Sequence, residues 1–157
     1  MLAGSTRHVK MNMKRQRIIQ NFITASSFNQ HDGKMYAENY KRFELLIDKL
    51  REFDGVIIVE GVRDEVALRN LGVRAEIIRL SRLPLAEIAL IASQHHDVMI
   101  LTDLDREGEE LAKKLTRYLE GYRCRVDTET RRELRRIARK DIKGIEDLYG
   151  LYLKLRF

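Results

Sequence analysis

Carboxylates follow two short apolar segments of the chain, and their spacing suits the binding of a metal ion. Residues 56–59 form a continuous β-branched run that ends at Glu60. Residues 98–101 form a second apolar run, which leads into the segment TDLD. Side chains at positions i and i+2 of an extended segment point the same way, so Asp103 and Asp105 can present two carboxylates to one volume.

Glu60 enters the same volume if the two apolar runs are neighbouring strands, because functional groups collect at the carboxyl ends of parallel strands. Three carboxylates without sulfur or imidazole suit Mg²⁺ or Mn²⁺ better than Zn²⁺. A cation would also relieve the repulsion between them. The alternative interpretation is structural, because Asp103, Asp105 and Glu109 precede or open a helix, where capping and the helix dipole favour acids. Asp64 opens the helix after Glu60 and is open to both interpretations.

The elements that must position these residues alternate between strand and helix. A long amphipathic helix has its apolar stripe between Tyr36 and Phe53. The rhythm that follows predicts an α/β fold around a parallel sheet. We predict strands at residues 56–59, 75–78, 98–101 and 122–126, and helices at residues 62–71 (closed by Gly72), 83–94, 106–119, from a Thr130–Glu133 capping box onward, and 145–155.

Basic side chains are concentrated in two parts of the chain. The net charge is +6, and residues 1–42 hold eight basic and two acidic side chains, so the basic excess lies there. Residues 123–143 carry a second excess, with nine basic and four acidic side chains. Such patches suit a polyanion, although runs of charge are also typical of solvated helix faces.

Composition excludes several classes of protein. A chain of 157 residues corresponds to about one domain. One cysteine, Cys124, excludes a disulfide framework and a Cys-rich zinc site. No apolar run approaches the roughly 18 residues of a membrane span, the first ten residues lack a signal-peptide core, and no G-x-x-x-x-G-K-[ST] loop is present. We therefore expect a cytoplasmic protein without membrane contact.

Two segments resemble a known family. VIIVEGVRDE at residues 56–65 and LTDLDREGEEL at residues 101–111 are similar to the two signature motifs of the Toprim domain, which occurs in topoisomerases, bacterial-type primases, nucleases and recombination proteins. The resemblance spans about residues 55–127 and implies a Rossmann-like, four-stranded parallel sheet that holds Mg²⁺. Residues that match the family pattern are Glu60 (the lone glutamate), Asp103 and Asp105 (the paired aspartates), and Gly61 and Gly108 (the accompanying glycines).

In its size and in the C-terminal segment ARKDIKGIEDLYGLY at residues 138–152, the chain resembles the small stand-alone Toprim proteins of archaea, and more distantly the ribonuclease that matures bacterial 5S ribosomal RNA. We expect a basic extension at residues 1–34 followed by a single Toprim domain at residues 35–157. No room remains for the tyrosine domain of a topoisomerase or the zinc-binding segment of a primase, so neither complete activity is expected.

The leading functional hypothesis is Mg²⁺-dependent phosphoryl transfer, with hydrolysis of phosphodiester bonds in RNA or DNA. The alternatives are a non-catalytic module that binds nucleic acid or a protein partner, and a phosphatase or nucleotidyl transferase acting on small phosphoesters. The apolar segment 148–157 could pack on a partner or on a second copy of the chain. We assign metal binding and catalysis to Glu60, Asp103 and Asp105, catalysis also to Arg106 as a phosphate clamp, nucleic-acid contacts to Arg63, Arg106, Arg132, Arg135, Arg136 and Lys143, and supporting roles to Gly61, Asp64, Gly108 and Glu109.

Overall fold

A four-stranded, all-parallel sheet forms the centre of the molecule. The computed structural model describes residues 30–138 and 142–156. The strands pair in the order β2-β1-β3-β4. This arrangement confirms the predicted α/β class and the four-stranded sheet that the family resemblance implies. The strands are β1 (Val56–Val59), β2 (Glu76–Arg79), β3 (Asp97–Leu101) and β4 (Arg125–Asp127).

Helices connect the strands and cover both faces of the sheet. They are α1 (Gln30–Glu52), α2 (Val62–Asn70), α3 (Leu85–Ala92), α4 (Arg106–Leu119), α5 (Glu129–Ala138) and α6 (Leu148–Arg156), with 3₁₀ turns at Leu80–Arg82 and Ile145–Asp147. Gly72 follows α2 with a φ of 93°, as its predicted role in closing that helix requires. None of the helices described combines the length and apolar character needed to cross a membrane.

The strand β1 is apolar throughout, and β3 is apolar from Val98 onward, because both faces of these central strands are buried. Ile57 and Met99 face a cluster built with α1, α2, α5 and the start of α6. Ile58 and Ile100 face the opposite cluster, built with α3 and α4. A central strand covered on both sides is expected to read as an unbroken hydrophobic run. The two runs noted in the sequence are therefore the two central strands.

The strand order creates a switch point between β1 and β3. The chain leaves β1 for β2 on one side, and later leaves β3 for β4 on the other. The two central strands pair in parallel with Val59 opposite Leu101, which confirms their predicted adjacency. In open α/β sheets, ligands bind outside the carboxyl ends of strands at such a switch point. Glu60 and the segment 102–105 leave the sheet there.

Some predicted details are wrong. The predicted cap of α5 fails because Thr130 lies inside the helix, and Asp127 accepts hydrogen bonds from both the backbone N–H and the hydroxyl of Thr130, over 3.0 and 2.9 Å. β4 begins at Arg125, later than the predicted residue 122. The last helix begins at Leu148, after a 3₁₀ turn. Residues 1–29 of the predicted basic extension lie outside the described residues, and residues 30–34 begin α1.

Candidate metal centre

The carboxyl ends of β1 and β3 meet in an open groove of about 450 Å³. The backbone N–H of Asp103 donates a hydrogen bond to Oε1 of Glu60 over 3.2 Å, which joins the two strand ends directly. The groove thus receives carboxylates from two different strands. It is lined by Glu60, Gly61, Val62, Arg63, Asp64, Asp103, Asp105, Lys143, Gly144, Glu146 and Asp147.

The loop after β3 is folded tightly onto the start of α4. Oδ1 of Asp105 caps this helix by accepting the backbone N–H of Gly108 over 2.7 Å. The buried hydroxyl of Thr102 donates to the carbonyl of Gly108 over 2.6 Å. A Cβ atom at Gly108 would lie 1.8 Å from the carbonyl oxygen of Asp103, so only glycine fits there. Asp105 is therefore both a helix cap, as the structural interpretation held, and a residue of the groove.

Arg131, on α5, holds this loop from behind. Its side chain is 1% exposed, and its guanidinium donates to the backbone carbonyls of Thr102 (3.2 Å), Asp103 and Asp105 (3.3 Å). The same guanidinium forms an ion pair with Glu109. A buried charge is stable only when it is paired and hydrogen-bonded, and this one meets both conditions. Arg131 therefore fixes the backbone from which the two aspartates project.

The segment before α6 closes the other side of the groove. The backbone N–H of Leu104 donates to the carbonyl of Lys143 over 3.1 Å. Asp147 accepts the backbone N–H groups of Lys143 and Gly144, over 3.1 and 3.3 Å. A Cβ at Gly144 would lie 2.9 Å from Oδ1 of Asp103, so this glycine allows the close approach. Lys143, to which the sequence analysis assigns nucleic-acid contacts, lines the groove together with Glu146 and Asp147.

The carboxylates of the groove affect one another's ionisation. Burial, hydrogen bonding with Glu60, and the charges of Glu60 and Asp105 raise the pKa of Asp103 to about 7, against a weaker opposing hydrogen bond from the backbone of Ile145. Burial also raises the pKa of Asp64, and the charge of Asp103 adds to this effect. Without a counter-ion the groove therefore resists the accumulation of negative charge.

The donor set fits a hard divalent cation. Glu60, Asp103 and Asp105 supply only carboxylate oxygens, the ligands that Mg²⁺ prefers. Within the described ranges, no three acidic, His or Cys side chains already stand in a ligating arrangement. Glu60 and Asp105 each direct one oxygen to a backbone N–H instead. Binding of a cation thus requires the carboxylates to turn from these bonds or to use their second oxygens.

The structure distributes the predicted site residues over two surfaces. Glu60, Gly61, Arg63, Asp64, Asp103, Asp105 and Lys143 line the acidic groove, and Gly108 lies beneath the aspartate loop. Arg106 is exposed at the start of α4 and is not among the described residues that line this groove. Glu109 and Arg132 line a second groove between α4 and α5, and Arg135 and Arg136 are exposed on α5.

Sequence reasoning missed Arg131 as a site residue and counted it only among the basic side chains of α5. A signal was present, because Arg131 stands three residues before Leu134 and so shares its helix face. That face packs into the core, where Leu134 is fully buried. A cation on a core-facing position needs a buried anion or several carbonyls as partners.

Comparisons with known proteins agree with this geometry. Residues 55–134 match the Toprim domain. A UPF0292 protein of Thermococcus onnurineus is 84% identical over 121 residues, which cover 77% of this chain and 91% of that protein. A UPF0292 protein of Methanosarcina barkeri is 37% identical over 129 residues, covering 80% and 90% of the two chains.

A solved structure shares the fold as well. It is described as a putative protein from Aquifex aeolicus, is 28% identical, and has a TM-score of 0.57 over 66% of this chain and 95% of that chain. Toprim domains generally bind divalent metal ions such as Mg²⁺. The chain therefore belongs to the Toprim family, together with the archaeal UPF0292 proteins, and its Toprim domain indicates a metal-binding function related to nucleic acid.

Proposed function

We propose that this protein hydrolyses phosphodiester bonds in RNA or DNA with Mg²⁺, or Mn²⁺ in its place. The observation that carries the proposal is the single groove in which Glu60 from one strand end meets Asp103 and Asp105 from the next. The cationic side chains of Arg63 and Lys143 belong to the same groove lining. Phosphoryl transfer requires carboxylates that hold a metal cation and, next to them, cationic side chains that bind the phosphate.

We assign a separate role in this reaction to each group of side chains. Glu60, Asp103 and Asp105 hold the cation, which supplies polarisation of the phosphate and stabilises charge on the attacking or leaving oxygen. We assign to Glu60, the acid from the separate strand, the further role of accepting a proton from the attacking water. Lys143 and Arg63 bind phosphate oxygens, and the exposed Arg106 can reach a neighbouring one.

A binding module without turnover is the second candidate. The observation that favours it is that Glu60 and Asp105 already satisfy backbone N–H groups, Asp105 as the cap of α4. Acids with such structural roles can be present in a protein that binds nucleic acid but does not cleave it. The two candidates differ in one result, namely whether product forms.

The test is incubation of labelled single-stranded, duplex and structured RNA and DNA with the full chain and Mg²⁺ or Mn²⁺. We expect metal-dependent cleavage that Asp103→Asn and Glu60→Gln each lower by at least about a hundredfold. Glu107→Gln is the matched control, because this exposed acid stands on the first turn of α4 outside the groove lining.

Three outcomes are informative. Cleavage that is lost in both site variants and kept in the control supports hydrolysis. Salt-sensitive binding without cleavage supports the binding module. Turnover of nucleotides or small phosphoesters alone, in a parallel panel, would replace the nucleic-acid substrate with a small one.

A further inference from the structure

A second groove, of about 230 Å³, lies between α4 and α5. It opens beside the end of β4, and basic side chains line it from both helices. Arg131 and Glu109 form part of its wall, so it borders the loop that carries Asp103 and Asp105. Its lining consists of Glu109, Ala112, Lys113, Thr116, Arg117, Glu120, Thr128, Arg131 and Arg132.

The charge available in this groove is positive. Arg131 and Glu109 neutralise each other. Lys113 and Arg132 have acidic neighbours on their own helices, at 3.8 and 3.5 Å, but such exposed pairs contribute little. Among the residues the structure describes, no carboxylate lies within 4.0 Å of the Arg117 guanidinium. Apart from the Arg131–Glu109 pair, the lining therefore contains three cationic side chains, those of Lys113, Arg117 and Arg132, and one acidic side chain, that of Glu120.

The basic side chains of α4 pair with acids on the same helix, as Lys113 does with Glu110, but they also repel one another. Lys113 and Arg117 are four residues apart, and like charges at this spacing destabilise a helix. The helix dipole favours cations only in the last turn, which includes Arg117 but not Lys113. A bound polyanion would relieve the repulsion.

The groove also borders the candidate metal centre, because Arg131 and Glu109 in its wall hold the loop that carries Asp103 and Asp105. Asp105 caps α4, and Arg117 lies twelve residues further along, a distance of about 18 Å at 1.5 Å per residue. A strand of nucleic acid whose scissile phosphate lies at the carboxylates can therefore extend along α4 past Lys113 to Arg117.

We propose that the α4–α5 groove binds the phosphodiester backbone of a nucleic acid on one side of the phosphate that lies at the carboxylates. This inference rests on the proposed function for its partner, a nucleic acid, but not on hydrolysis. The groove lies outside the residues of the Toprim motifs that hold the cation. We assign phosphate binding to Lys113 and Arg117 on α4 and to Arg132 on the facing helix.

The experiment measures binding of a labelled dodecamer, as RNA and as DNA, in EDTA at several salt concentrations. Replacing both Lys113 and Arg117 by alanine is expected to weaken binding about tenfold and to lower the slope of log K against log salt by about 1.4, or about 0.7 per lost contact on a single strand. Lys114→Ala is the matched control, because this exposed lysine is on the same helix but not in the groove lining. It should leave both quantities near those of the wild type.

Oligonucleotide length gives a second measurement. A dodecamer should bind the wild type more tightly than a dinucleotide does, and the double variant should lose most of that difference. Equal effects of the double variant and Lys114→Ala, or a wild type that does not bind the dodecamer, would overturn the groove. If the wild type cleaves nucleic acid and the double variant binds the dodecamer as tightly as the wild type does, only the proposed groove is wrong. If the double variant loses binding and the wild type does not cleave, only the proposed hydrolysis is wrong.

Discussion

The two strand ends that form the acidic groove are built differently. After β3, the loop is held by Arg131, by Thr102 and by the capped start of α4, and a Cβ at Gly108 would meet backbone 1.8 Å away. After β1, a Cβ at Gly61 would meet nothing within 4 Å. There the backbone N–H of Gly61 donates to Asp64 over 3.0 Å, and the carbonyl of Glu60 accepts the backbone N–H of Ser81 over 3.2 Å.

The two strand ends therefore meet two different requirements of the site, namely a fixed position for the aspartates and access for a substrate. The paired aspartates project from a backbone that long-range contacts fix, so their spacing is set before any ligand binds. The glutamate end is open, and the space above Gly61 is available to a substrate that must approach the carboxylates. Substitutions at Arg131, Gly108 and Gly61 test whether the two ends differ as the contacts imply.

The largest expected effect is from Arg131→Met. The substitution keeps most of the side-chain volume but leaves Glu109 unpaired and three carbonyls without their donor, and breaking a buried ion pair costs about 3–5 kcal/mol. Arg132→Met, at the exposed neighbouring position, should change the free energy of unfolding by no more than about 0.5 kcal/mol. Denaturant unfolding of both variants measures the difference, and equal values would show that Arg131 does not hold the β3 end.

The two motif glycines offer the next comparison. Gly108→Ala forces a methyl group against the backbone of Asp103 and should lower the free energy of unfolding by about 2–3 kcal/mol. Gly61→Ala meets open space in an extended backbone conformation, so its cost should not exceed about 1 kcal/mol from a poorer helix cap. Thermal or denaturant unfolding of the two glycine variants measures this difference in stability. A Gly61 variant as damaged as the Gly108 variant would contradict the proposed openness of the β1 end.

A smaller effect concerns pH. The pKa of Asp103 is raised from 3.8 to about 7, so between these values the metal-free folded state holds more protons than the unfolded state does. The free energy of unfolding of the metal-free protein should therefore fall as pH rises from about 4 to 7. Melting temperatures in EDTA across this range should show the fall in the wild type and a flatter profile in Asp103→Asn. Indistinguishable profiles would mean that burial and the neighbouring acids do not raise the pKa of Asp103.

Much of the fold could be predicted from the sequence because its signals are local. The runs at β1 and β3 are apolar on both faces, and an acid follows the first run directly and the second run after one threonine, Thr102. Parallel pairing then brings Glu60 to Asp103 without further information. The same local reasoning places Gly72 at the end of α2.

The parts that sequence reasoning missed depend on contacts between distant residues. Arg131 contacts carbonyls 26 to 29 positions earlier in the chain. The start of α5 is a local exception, where the Asp127 carboxylate accepts hydrogen bonds from Thr130 because the helix begins at Glu129, earlier than its residue pattern indicated. Gly144 approaches Asp103 across 41 positions, and nothing in the local sequence around it records that approach.

Direct measurement of Mn²⁺ binding by electron paramagnetic resonance, with Mg²⁺ as competitor, tests the central claim that carboxylates from two strand ends grip one divalent cation. We predict that the full chain binds Mn²⁺, that Mg²⁺ displaces it, and that Glu60→Gln, Asp103→Asn and Asp105→Asn each weaken binding by about tenfold or more, while Glu107→Gln does not. A wild type that leaves Mn²⁺ free in solution, or a Glu60→Gln variant that binds it as the wild type does, would contradict the account.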